Sequence, residues 1–286
     1  MSGSVRNIFK KLNDLRQKNP PLSEVISDFR VLAWGLSYLL FIIALIPTGS
    51  AFGKIKWIDK ILHAVGFYFL LLFYIEGYGK KNRCKFFLFV LSLGFTMELL
   101  QGILPWRKAD ILDFGFDTIG AFLALITPLR LSSFILFLIG TFGGIGKLPL
   151  VPATIASCIT LFLYWISPFG NDFLSIFIPI LFFMGVYIAQ RMSEKREIDD
   201  PKEIVIDEMV GVLIAVFLHP KTFETLLIGF ILFRFFDIAK PSFVGKMEKL
   251  PGGLGIMMDD VMAGILASIG LFFLTMVDKL FPLMLF

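Results

Sequence analysis

Apolar runs close to the thickness of a bilayer recur along this chain, and they limit its fold more than any other feature. Nine stretches stand out: 31–46, 58–75, 86–104, 111–127, 153–166, 173–189, 204–218, 223–238 and 261–277. A helix needs about 20 apolar residues to cross the hydrocarbon core, where every backbone polar group must find its partner within the segment. The runs predict an all-α polytopic membrane protein with about nine transmembrane spans. Composition agrees, at 57% hydrophobic and 17% charged, where soluble domains carry roughly 25% charged residues. The two cysteines, Cys84 and Cys158, supply neither a disulfide framework nor a metal-ligand set.

The segments between the runs set the topology. Residues 1–30 form a basic tail in which Val5, Ile8, Phe9, Leu12 and Leu15 recur at helical spacing, a pattern that suits a helix on an anionic membrane surface. No cleavable leader is expected ahead of the first apolar run. The run 131–139 is too short to span, and the Gly/Pro-rich stretch 141–152 follows it; this part reads as re-entrant or interfacial. With the N-terminus cytosolic, nineteen Lys and Arg fall in inner segments and seven in outer ones. That bias fits a membrane protein with its N-terminus inside and its C-terminus outside. Its charges flank spans, so the partners expected are lipid and membrane, with no nucleic acid.

The remaining polar residues separate onto the two faces. Asp59, His63, Glu98, Gln101, Arg107, Asp110 and Asp113 fall near the outer ends of their runs, whereas Asp200, Asp207, Glu208, Arg234, Asp237, Lys240, Asp259 and Asp260 fall near the inner ends. Two clusters on two leaflets imply two helical bundles divided near residue 130. Ionisable residues placed in membrane segments are costly and usually functional. Acids of the inner group can hold one or two divalent cations, and hard oxygen ligands suit Mg²⁺. Arg234 and Lys240 bring the positive charge that a phosphate needs. A glycine-rich stretch, 252–258, reads as a loop leading to Asp259-Asp260 at the mouth of the last span. With the helix start near Thr154, it offers backbone N–H groups to anionic oxygens. This combination fits metal-assisted phosphoryl transfer. Charges gathered at one rim fit an enzyme better than a transporter, whose sites lie near the midplane. A salt-bridge network, with Arg234 and Asp237 simply paired, is the structural alternative.

Four motifs carry a resemblance. Pro149-Leu150-Val151-Pro152-Ala153-Thr154, Ile204-Val205-Ile206-Asp207-Glu208-Met209-Val210-Gly211, Phe233-Arg234-Phe235-Phe236-Asp237-Ile238-Ala239-Lys240-Pro241 and Gly252-Gly253-Leu254-Gly255-Ile256-Met257-Met258-Asp259-Asp260 resemble the phosphatidylglycerophosphatase A family in the family's order, over about 141–277. The resemblance implies a Mg²⁺-dependent lipid phosphatase that converts phosphatidylglycerol phosphate to phosphatidylglycerol and phosphate at the cytosolic face. On this basis Asp207, Glu208, Asp259 and Asp260 are expected to bind Mg²⁺. Arg234, Lys240, Thr154, Gly253 and Gly255 are expected to meet the phosphate, and Asp237 to add a ligand or orient Arg234. The attacking group is either water or a carboxylate. Ala153 and Ala156 depart from the family's glycines. The alternative from another class is a lipid-binding or transport module with a degenerate phosphatase fold.

A second resemblance covers about 31–128. Asp59-Lys60-Ile61-Leu62-His63, Glu98-Leu99-Leu100-Gln101, Arg107-Lys108-Ala109-Asp110 and 113–120 are similar to VanZ-like membrane domains, with Asp117 where that family has Asn. The resemblance implies a membrane domain linked to glycopeptide tolerance and no settled reaction. The expected division is therefore a tail (1–30), a VanZ-like four-helix domain (31–130) and a catalytic membrane domain (131–286).

Overall fold

The computed structural model describes residues 29–45, 57–107, 109–127, 129–196, 201–242, 244–248, 250 and 252–280. The tail 1–28, the turn at Pro47 and Asp200 lie outside them. The described residues form helices and no strand. In order these are α1 (Phe29–Leu45), α2 (Ile58–Tyr78), α3 (Arg83–Ile103), α4 (Ile111–Ile126), α5 (Leu129–Gly140), α6 (Pro152–Ile166), α7 (Asn171–Arg196), α8 (Ile206–Val216), α9 (Phe223–Ala239), α10 (Val244–Met247) and α11 (Gly252–Leu280).

Local chemistry explains most boundaries. Asp110 caps α4 by accepting from the Leu112 N–H, and Thr222 caps α9 by accepting from Thr225, as short polar side chains do at helix starts. Pro152 opens α6 at a position where its missing N–H costs nothing. Gly79 ends α2 at φ 86°, a conformation open to glycine.

All nine apolar runs fall on helices, but among the described residues four segments are long and apolar enough to cross a membrane: Ile58–Tyr78, Lys80–Ile103, Asn171–Arg196 and Gly252–Asp278. Helices α1, α4, α6, α8 and α9 have 17 residues or fewer. The described residues thus make a helical membrane protein with four candidate spans. Side chains such as Ile111, Ile238 and Ile103 turn outward, as a lipid-facing surface allows.

One boundary moves far. The stretch 252–260 is the opening of α11 rather than a loop. Glycine disfavours helix by about 1 kcal/mol per residue, but here a close approach overrides propensity. A Cβ on Gly253 would lie 2.1 Å from the Val186 carbonyl oxygen, and one on Gly255 2.1 Å from the Leu250 oxygen. Only residues without side chains let α11 sit this close to α7 and to the preceding turn. Asp259 and Asp260 therefore lie two turns inside a helix, not at its mouth.

Helix α7 joins the two halves of the chain. It packs against α1 and α2 as well as α8 and α11. Tyr187 meets Phe29 of α1 and Phe69 and Phe73 of α2, with ring centroids 5.1–6.3 Å apart. Beside this aromatic core Arg191 pairs with Glu76 and covers the Phe29 ring. The short α5 also rests on α7, where a Cβ on Gly140 would meet Ile188 at 2.6 Å.

Candidate active site

Helices α8 and α11 cross with their backbones in contact. A Cβ on Gly264 would sit 2.3 Å from the Gly211 carbonyl oxygen, and one on Gly211 would sit 2.8 Å from the Asp260 oxygen. Ala215, Ala263 and Ala267 are fully buried; small residues of this kind let helices pack closely in lipid. The crossing fixes the acids. Asp207 and Glu208 precede Gly211 by about one turn, as Asp260 precedes Gly264, so the carboxyl groups converge just ahead of the contact. One oxygen from each of Asp207, Glu208 and Asp260 lies within 4.8 Å of the others.

This trio fits a divalent cation. Glu208 Oε2 and Asp260 Oδ2 are buried without a hydrogen-bond partner among the described residues. Buried polar atoms are normally satisfied, and clustered carboxylates without countercharge are costly. Hard, all-oxygen donors are what Mg²⁺ selects. Asp237 is within electrostatic reach of Asp260 as well.

Asp259 points elsewhere, because successive helical residues differ by about 100° around the axis. Its Oδ2 accepts from Lys240 Nζ at 3.0 Å, and its Oδ1 accepts from the Asp260 N–H at 3.0 Å. The structure thus separates the two adjacent acids: Asp260 joins the trio, and Asp259 anchors a lysine. Lys240 ends α9 in the left-handed region at φ 39°, and Pro241 follows. Glu248, which the sequence reading missed, lies 3.2 Å from Lys240 on its other side. Burial alone would lower the Lys240 pKa, but the hydrogen bonds and charges of Asp259 and Glu248 outweigh it and hold the ammonium above its usual value.

Arg234 Nη1 lies 2.7 Å from Asp237 Oδ2, one turn along α9. The approach is not aligned as a hydrogen bond, and Nε and Nη1 are both buried without one. Asp237 therefore holds the guanidinium in place while leaving donors uncommitted. Arg234 also acts electrostatically on Cys158 of α6. Thr154 sits one turn earlier than Cys158 on that face of α6.

The expected glycine cradle takes a different form. Gly253 N–H donates to Gln190 Oε1 at 2.8 Å, and its Cα faces the α7 backbone. Gly255 faces the turn at Leu250. Both sit at close packing contacts, and the Gly253 N–H is already taken by Gln190.

The outer residues also come together. Lys60 pairs with Asp113, with Asp110 at 2.6 Å and with Asp59 at 3.4 Å. His63 Nδ1 lies 2.8 Å from Asp117 Oδ1. Glu98 Oε2 accepts from the Asp110 N–H at 2.9 Å, while Gln101 and Arg107 donate to the Ala44 and Ile43 carbonyls of α1. Lys60 was not singled out as a site residue, whereas Asp117 was expected to add negative charge there. Asp117 follows Asp113 by one turn on the same helix face.

Comparison with known proteins bears on the second half of the chain. The family model of Phosphatidylglycerophosphatase A matches residues 138–275. A Bacteroides thetaiotaomicron protein with the provisional name phosphatidylinositol-3-phosphatase is 41% identical over 146 residues, 48% of this chain and 91% of that protein. The phosphatidylglycerophosphatase A of Haemophilus influenzae is 40% identical over 109 residues, covering 37% of this chain and 67% of that protein. That of Escherichia coli is 29% identical over 134 residues, 46% and 78% of the two chains. No solved structure matches the chain.

Proposed function

Because the chain belongs, through residues 138–275, to the phosphatidylglycerophosphatase A family and is a phosphatase, we propose that it hydrolyses phosphatidylglycerol phosphate to phosphatidylglycerol and phosphate, with Mg²⁺, at the cytosolic face of a bacterial inner membrane. The observation that carries the reading is the convergence of Asp207, Glu208 and Asp260 within 4.8 Å. Those three carboxylates would hold Mg²⁺, which supplies Lewis-acid charge against the phosphoryl oxygens when bound. The protein's own groups do the rest. Arg234, steadied by Asp237, offers paired N–H donors that orient the terminal phosphate. Lys240, steadied by Asp259 and Glu248, brings a fixed positive charge where the departing headgroup oxygen becomes negative. In-line attack, by water or by a carboxylate, breaks the phosphorus–oxygen bond. The Lys and Arg bias of the loops supports the cytosolic placement.

The test is phosphate release by the purified full-length protein. Phosphatidylglycerol phosphate with Mg²⁺ should release phosphate, and EDTA or Asp260→Asn should stop it. Phosphatidylinositol 3-phosphate is the comparison substrate, chosen because of the Bacteroides relative's name; faster release from it would move the assignment to an inositol headgroup. No release from either lipid would favour the lipid-binding or transport alternative.

A further inference from the structure

Helices α1 to α4 and the start of α7 enclose a cavity of about 130 Å³ at the outer cluster. It stands apart from the phosphatase site. Ile176 and Ile180 of α7 line it, whereas Val186 and Gln190 of the same helix meet the α11 glycines. From residue 176 to residue 190 a helix rises about 21 Å.

One wall is polar and incompletely used. Glu98 is 7% exposed, and only its Oε2 has a hydrogen bond among the described residues. Asp117 is 1% exposed and meets His63 through Oδ1 alone. His63 Nε2 stays 4.0 Å from Asp113, too far for a hydrogen bond. Asp59 Oδ1 and Arg107 Nε are buried with no partner among the described residues. A polar network that served only to hold helices in register would close its own hydrogen bonds. This one leaves polar atoms unsatisfied beside the space that Glu98 and Asp117 line.

The charges there do not balance. Asp59, Glu98, Asp110, Asp113 and Asp117 oppose Lys60 and Arg107, with His63 between them. Even with His63 protonated, the acids outnumber the bases by two among the described residues. Such an excess attracts a cation. A bare metal ion is a poor match, because among the described residues only Asp207, Glu208 and Asp260 bring three ligand atoms together. The opposite wall is apolar, with Leu40, Phe67 and Met97 beside the two α7 isoleucines. The cavity exceeds the space that a single water needs, which leaves room for a small headgroup.

We propose that this cavity is a second binding site, which takes the primary ammonium of an amine-bearing headgroup between Glu98 and Asp117. The apolar wall receives the adjoining hydrocarbon of an amphiphile, and Arg107 Nε meets an oxygen next to the amine. The site does not depend on the phosphatase reading.

The test measures binding to the purified full-length protein in detergent, using short-chain phosphatidylethanolamine, ethanolamine alone and short-chain phosphatidylglycerol. Phosphatidylethanolamine should bind saturably and at least tenfold more tightly than phosphatidylglycerol. Glu98→Gln and Asp117→Asn should each weaken it at least tenfold while helical circular dichroism and elution volume stay unchanged. Ethanolamine binding that depends on Glu98 would show that the headgroup suffices. Binding of the lipid alone would show that the apolar wall is needed as well. Equal binding of phosphatidylglycerol, or no binding of either amine by the unmodified protein, overturns the proposal whatever the variants do. So does undiminished binding by folded variants.

Discussion

Replacing Gly264 with Ala tests how the acids are brought together. The new Cβ would lie 2.3 Å from the Gly211 carbonyl oxygen and 3.1 Å from Ile214 Cβ. Carbon contacts become favourable only at about 3.5 Å, so α8 and α11 must part by about 1 Å. Alanine favours helix by about 1 kcal/mol over glycine, and overpacking costs about 1–3 kcal/mol; the net loss of stability is about 0–2 kcal/mol. The catalytic effect is larger. Asp260 lies one turn before the contact and its partners one turn before Gly211, so the displacement falls on the carboxylate trio. A 1 Å error in a catalytic arrangement can cost about 100-fold in rate. Gly270→Ala, on the same helix, is the control, because its Cβ would meet Leu232 Cδ1 at 3.5 Å, an ordinary contact. Phosphate-release rates and thermal melting in detergent should show Gly264→Ala folded but about 100-fold slower, with Gly270→Ala as active as the parent. A Gly264→Ala protein at full rate, or a Gly270→Ala protein equally impaired, would refute the crossing as the device that sets the site.

Other expectations come from single contacts. Lys240→Ala removes the partner of Asp259 and should lower kcat/KM by about 10–100-fold, at the scale of a lost charged hydrogen bond, with little change in melting temperature. Because the Lys240 pKa is raised in the fold, its contribution is complete below the ordinary lysine value and is lost only as pH rises through the raised one; a rate profile from about pH 6 to pH 9 should show no decline from this group. Gly253→Ala should lower the melting temperature and leave KM unaltered, since the new Cβ strikes the Val186 carbonyl at 2.1 Å rather than a substrate position; a raised KM at unchanged stability would restore the phosphate-cradle reading. Arg234→Lys keeps the charge but loses the planar fork, and should reduce kcat by about tenfold or more.

Much of this site was legible because membrane chains advertise their functional residues. Asp207, Glu208, Arg234, Asp237, Lys240 and Asp260 stand out as charges among Val, Ile and Phe, and α8 and α9 begin near where their apolar runs begin. What composition could not reveal was direction. Asp259 and Asp260 are identical neighbours in sequence, and only the phase of α11 sends one to the trio and the other to Lys240. That phase depends in turn on where α11 starts, which glycine propensity misplaced, because the close approach to Val186 and Leu250 is a tertiary fact. The length of the spans was obscured for a related reason. Apolar runs report that a segment avoids water but not whether lipid or protein surrounds it, so α8, an 11-residue helix buried among its neighbours, reads like a span. Lys60 escaped notice because its role depends on three acids, two of them about fifty residues away.

The central claim is that three carboxylates on two crossing helices hold a divalent cation for phosphate removal, and one assay addresses it directly. Phosphate release from phosphatidylglycerol phosphate would be followed with the unmodified full-length protein and with Asp260→Asn, in Mg²⁺, in EDTA, and in EDTA with Mg²⁺ restored. The account predicts release by the unmodified protein that EDTA abolishes and Mg²⁺ restores, and release by Asp260→Asn that is lower by about 100-fold or more. Release that persists in EDTA, or an Asp260→Asn protein at the parent rate, would contradict it.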